Sequence, residues 1–282
     1  MAKIKKESFG KLPDGREASL YTLSNTKGAA VKLSDLGARM VAWRTLARGY
    51  EYVNIIKGAA DVAECLGGAA LAGATRIDGK KWETELWTAR EEYEGIRFTL
   101  PDEKISLLYS FSNDNELLLR YEYDGDGAAA APITRACFNL NGSGDVKGGN
   151  IKIFADEYLP EGEVSPVSVA GTARDLREAK PLADVEAAQD VWRVLNVDPE
   201  IEMEPGMFGY DPTCPIDYLD AGLKNAVWAN AAQNGLELTM FTNLPGVILS
   251  KRAGGSDFAL EATESAVKAP WRGQTVFALK LR

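Results

Sequence analysis

Strict period-two alternation is the feature that most constrains this chain. Ile105, Leu107, Tyr109 and Phe111 alternate with polar or smaller residues. Ser112-Asn113-Asp114-Asn115 then supplies a turn, and Leu117, Leu119, Tyr121 and Tyr123 alternate again. Successive side chains of a strand point to opposite faces, so this pattern predicts an antiparallel hairpin with one covered face. Leu236, Leu238 and Met240 repeat the pattern, as do Phe277, Leu279 and Leu281. Turn-forming residues recur at Pro13-Asp14-Gly15, Asn25 to Gly28, Asp124 to Gly127, Gly142 to Gly149 and Gly254-Gly255. Helical spacing is rare, and its best candidate is 182–195, where Leu182, Val185, Ala188, Val191 and Leu195 recur at three or four residues. This balance predicts an all-β fold, a large antiparallel sandwich with one short helix at most. No linker or repeat interrupts the 282 residues, so one domain over 1–282 is expected.

Composition narrows the function. Lys and Arg number 32 against 41 Asp and Glu, a net charge of −9. A surface of that sign repels phosphate backbones and anionic bilayers, so neither nucleic acid nor membrane is an expected partner. No apolar run reaches the length of a membrane span. The opening MAKIKKESFG is basic but leads into no apolar region, so it does not read as a secretory signal. Cysteines are three, Cys65, Cys137 and Cys214, with no C-x-x-C pair. That predicts reduced thiols in a cytoplasmic protein, with no disulfide framework and no metal centre. The chain contains no histidine. Ser-His-Asp and Cys-His nucleophile arrangements are excluded with it, as is the side chain best suited to proton transfer near neutral pH. Any catalysis has to run on carboxylates, Tyr, Lys, Cys or backbone groups.

Two tempting motifs carry little. Gly142 to Gly149 is glycine-rich, but no Lys-Ser or Lys-Thr follows and no helix opens after it, so it reads as a turn and no cofactor is expected. Asn141-Gly142-Ser143 fits a glycosylation acceptor and also reads as a turn. The six tryptophans, Trp43, Trp82, Trp87, Trp192, Trp228 and Trp271, could stack on sugar rings, but core or rim packing is the plainer reading.

An ordered set of segments carries a family resemblance. Phe9-Gly10, Asp14-Gly15, Tyr21-Thr22-Leu23-Ser24-Asn25 and Leu36-Gly37-Ala38 come first. Ala72-Gly73-Ala74-Thr75-Arg76-Ile77 and Phe138-Asn139-Leu140-Asn141-Gly142 follow. Then come Ala155-Asp156-Glu157-Tyr158-Leu159-Pro160, Gly162-Glu163-Val164, Gly171-Thr172, Asp175-Leu176-Arg177, Gly209-Tyr210-Asp211 and Leu260-Glu261. In this order they resemble the aldose 1-epimerase (galactose mutarotase) family from about residue 9 onward. The resemblance implies a galactose mutarotase-like β-supersandwich with a sugar cleft and a small-molecule sugar as partner. It also implies interconversion of the α and β anomers of an aldose. In that reaction a base takes the proton from the anomeric O1 and an acid protonates the ring O5. The C1–O5 bond opens, C1 rotates, and the ring recloses on its other face.

Family roles transfer residue by residue. Glu261 falls at the base, Arg76 at a substrate-binding arginine and Asp211 at a sugar-binding aspartate. Both family histidines are missing. Arg135, in Thr134-Arg135-Ala136-Cys137-Phe138-Asn139-Leu140, takes the place of the histidine acid. The second histidine's loop is replaced by the shorter Asp78 to Leu86. A guanidinium keeps its proton near neutral pH and is a poor donor. General acid assistance is worth roughly 10²–10⁴-fold, so weakened activity is expected unless Asp211, Tyr210 or Cys137 protonates O5. The alternatives are a catalytically silent carbohydrate-binding or regulatory protein, and a binder or mutarotase of anionic sugars, since two arginines suit a phosphate or carboxylate. Read without the family, Glu261 is a strand residue with its head in solvent and Asp211 a turn cap before Pro212. Arg76 is then a surface charge and Arg135 a structural ion-pair partner.

Overall fold

The computed structural model describes residues 3–67, 72–76, 81–93, 95–125, 128–130, 132–146, 148–186, 190–193, 222–251, 255–268 and 270–282. The architecture is all-β. Three sheets dominate, and every strand pairing in them is antiparallel. Five N-terminal strands, from Lys3–Lys11 to Tyr52–Asn54, form a meander in chain order. A nine-stranded sheet has Trp271–Leu281 in its interior, between Leu236–Thr242 and Glu116–Tyr123. A six-stranded sheet runs Ala136–Phe138, Phe258–Thr263, Gly246–Lys251, Val191–Arg193, Glu157–Leu159, Val167–Ser168.

One hydrophobic cluster draws on all three sheets, including Trp43, Leu119 and Leu260. Phe138 joins the six-stranded sheet to the nine-stranded one, its ring 5.1 Å from that of Phe277 and 5.9 Å from that of Phe258. Burial of these rings on one side of Phe258–Thr263 forces Ala259, Glu261 and Thr263 to the other, because strand side chains alternate. The core therefore decides the face on which Glu261 emerges.

The expected hairpin is present: Ile105–Phe111 pairs with Glu116–Tyr123 across the 112–115 turn. It is covered on both faces, not one, since Leu108 and Leu118 are as buried as Leu107 and Leu119. The alternation marks only the face against the main cluster. Five tryptophans are buried and Trp228 is partly so.

The helix expected over 182–195 is not found there in the described residues. Residues 182–184 form a turn and Val191–Arg193 is a strand paired on both sides. Leu182 and Val185 are buried from a turn and Trp192 from a strand, so their spacing imitates a helical face without one. Among the described residues the α-helix is Val62–Leu66, capped by Asp61, whose carboxylate accepts from the Glu64 amide. No helix among them is long and apolar enough to cross a membrane.

Candidate functional site

Three of the four site residues read from the sequence meet. Arg76 ends a two-stranded ladder formed by Thr75–Arg76 and Ile133–Thr134, and Arg135 follows directly from the second of these strands. Glu261 lies in Phe258–Thr263, the second strand of the six-stranded sheet, next to its edge strand Ala136–Phe138. Arg76 Nη2 donates to Glu261 Oε2 and Arg135 Nη1 donates to Oε1, each at 2.8 Å, although the chain separates them by 185 and 126 residues. Arg135 Nη2 also donates to Ser250 Oγ at 2.7 Å. Asp211, and with it Tyr210, lies outside the described residues.

The backbone explains the convergence. Gly73 N donates to Arg135 O and Arg135 N to Ala74 O, extending the ladder, while Met40 N donates to Gly73 O. Gly73 has φ +70, and a Cβ there would stand 2.0 Å from the Met40 carbonyl, so only glycine lets these three segments close up. Across the six-stranded sheet Cys137, Ala259 and Ser250 are in register on the face that carries Glu261. Small side chains thus form the floor beside the ion pairs, and Ala72, Cys137 and Ala259 pack together as a buried apolar patch.

Exposure sorts these groups. The Glu261 side chain is 0% exposed, against 25% for Arg76 and 23% for Arg135. Glu261 therefore does not keep its head in solvent, as its strand context alone suggests. Both of its oxygens are engaged, and the guanidinium groups are what solvent meets. Charged hydrogen bonds of this length are among the strong ones.

Beneath the arginines the site is polar but not acidic. Tyr121 donates to Thr134 Oγ1 at 2.7 Å, and Tyr109 donates to Ala38 O at 2.8 Å. Burial pushes both phenols above their ordinary range, and the Glu261 charge adds to the effect at Tyr121. Neither phenol is suited to replace a missing acid. Among the described residues no group of three His, Cys, Asp or Glu could hold a metal ion. Cys65 and Cys137 are buried as thiols.

Other family-like motifs serve the scaffold. Arg177 grips Asp175 through Nε and Nη2 at 2.9 and 2.8 Å and reaches Asp156 at 3.1 Å, tying two motif segments together. That pair holds the Asp175 carboxyl down at about 2. Asn139, fully buried, donates to Gly144 O and Ser256 O and so fastens two loops. Sequence reading missed Arg39, which is fully buried and donates to Leu36 O and Glu83 O; burial lowers its proton affinity. An arginine in a strand gives no sequence signal that it will be enclosed.

The fold and the relatives agree. No protein-family model matches the chain. The aldose 1-epimerases of Escherichia coli K12 and Shigella flexneri are each 26% identical to it over 284 residues, covering 83% of this chain and 79% of theirs. Among solved structures, galactose 1-epimerase from Lactobacillus acidophilus superposes with a TM-score of 0.75 at 16% identity, over 100% of this chain and 99% of that one. An aldose epimerase homologue from C. elegans gives 0.73 at 16% identity, over 94% and 99%. The architecture is that of the galactose mutarotase-like β-sandwiches. In sequence the chain is similar to aldose 1-epimerases, and it shares the fold of the solved ones.

Proposed function

We propose that this protein interconverts the α and β anomers of an aldose, slowly for an aldose 1-epimerase, with Glu261 as the base that takes the proton from O1. The observation that carries this reading is the meeting of Glu261 with Arg76 and Arg135 from three distant segments. Glu261 is enclosed behind its two arginines, so a sugar hydroxyl would reach it by displacing one of them and donating to the oxygen that is freed. Arg135 would lie against the ring oxygen and polarise it as a fixed cation. It cannot deliver a proton as an imidazolium would, which accounts for a low rate. Asp211 is proposed as a further contact to the sugar. Polarimetry on freshly dissolved α-D-glucose and α-D-galactose, against a buffer blank, tests the reading. Decay faster than the blank, lost in Glu261→Gln, supports it. Decay at the blank rate removes it.

A second reading is favoured by the enclosure of Glu261 behind its arginines. It is a site that binds a sugar bearing a carboxylate or phosphate, with or without turnover. Such a group would take the exposed donors that a neutral sugar leaves to water. Calorimetry with glucuronate, glucose 6-phosphate and glucose separates the two. Tighter binding of the anions, lost in Arg135→Ala, favours the second, and equal affinity for all three removes it.

A further inference from the structure

Behind the arginines lies a buried chain of hydroxyls that the proposed chemistry does not use. Thr75 and Thr134 each immediately precede a site arginine, and they face one another directly across the two-stranded ladder. Alternation puts their side chains on the side opposite Arg76 and Arg135. Tyr121 donates to Thr134 Oγ1 at 2.7 Å, the two threonine hydroxyls are 2.9 Å apart, and Thr75 Oγ1 donates to Ala38 O at 3.3 Å. Tyr109 donates to the same carbonyl. The ends fix the direction. Tyr121 donates in and Thr75 donates out, so Thr134 donates to Thr75. Every hydroxyl hydrogen in the chain then has an acceptor.

All four residues are buried, at 4% exposure or less. Phe and Val would fill the same space, and burying a hydroxyl gains nothing unless it is bonded. What hydrogen bonds add to packing is a narrow tolerance in distance and angle. The site has a comparable tolerance, because each arginine reaches Glu261 at 2.8 Å from a short ladder built on two strands of two residues each. We propose that Thr134, with Tyr121 and Thr75, is a positioning residue: the hydroxyl chain sets the offset of the ladder from the six-stranded sheet so that both guanidinium groups converge on Glu261. The inference takes from the proposed function only the identity of the site, and its test does not read turnover.

That test is a double-mutant cycle between Arg135→Gln and Glu261→Gln, followed by urea unfolding, in three backgrounds: wild type, Thr134→Val and Thr134→Ser. We expect the coupling between Arg135 and Glu261, read as a ratio of unfolding constants, to fall about fivefold or more in Thr134→Val and to return in Thr134→Ser. An unchanged coupling in Thr134→Val, or no return in Thr134→Ser, would overturn the inference, whatever the change in overall stability. If Thr134→Val does not fold, the cycle is run in Tyr121→Phe, which removes only the first donor. There a measurable fall is expected, and an unchanged coupling would again overturn the inference. A failure in the polarimetric assay would count against the proposed function and leave this cycle unaffected.

Discussion

Replacing Glu261 by Gln should destabilise the protein by about 2–3 kcal/mol, and the structure shows why. The carboxylate is fully enclosed and accepts one charged hydrogen bond on each oxygen. Gln keeps a single carbonyl oxygen. Its amide end would meet the other guanidinium donor to donor, so one bond is lost outright. Losing a hydrogen bond to a charged group costs about 1.5–3 kcal/mol. Removing one partner of a buried ion pair costs roughly 3–5 kcal/mol, and that figure is an upper bound here. The arginines keep about a quarter of their side-chain exposure, so water can solvate part of the stranded charge. Urea unfolding followed by tryptophan fluorescence measures the change, with the m-value expected to stay constant. For a chain of this size the melting temperature should fall by about 4–12 °C. A change below about 0.5 kcal/mol, the range of ordinary surface substitutions, would refute the reasoning. It would mean that Glu261 is not held by both arginines in solution.

Gly73→Ala should cost at least about 3 kcal/mol in urea unfolding, because a positive φ is combined with a Cβ driven into the Met40 carbonyl; a loss under about 1 kcal/mol would show that the backbone can move aside. The Asp175 carboxyl should titrate at about 2 by carbon NMR, and in Arg177→Ala it should return toward the ordinary value of about 3.9. Because its pKa is depressed on folding, this pair supports the fold above the ordinary carboxylate range and stops doing so as the pH falls through about 2. Ser250→Ala should leave Arg135 bonded to Glu261 but lose the second contact, at a cost of about 1 kcal/mol in the same unfolding assay, and no loss would show that water replaces it.

The sheets were legible because alternation has a direct physical cause. The face packed against the main cluster demands apolar side chains at every second position, as in 105–111 and 117–123, even though the other face is covered as well. The segment over 182–195 misled for the converse reason: a buried turn followed by a strand can place apolar residues three and four apart without a helix. Arg76, Arg135 and Glu261 were legible only through their place in family-like segments. Nothing in periodicity links residues 126 or 185 positions apart. The hydroxyl chain under them left no trace, because Tyr109 and Tyr121 fill apolar positions of an alternating strand and read there as core. The enclosure of Glu261 is equally tertiary. It follows from two arginines arriving from a separate ladder.

The proposed role of Glu261 is to take the proton from the anomeric O1 of the sugar. Exchange NMR at anomeric equilibrium tests it most directly, by following magnetisation between the α and β H1 resonances of glucose and galactose with added protein. Wild type should raise the exchange rate above buffer in proportion to protein concentration, and folded Glu261→Gln should return it to the buffer rate. Exchange that persists undiminished in Glu261→Gln, or that never exceeds buffer in wild type, would contradict the account.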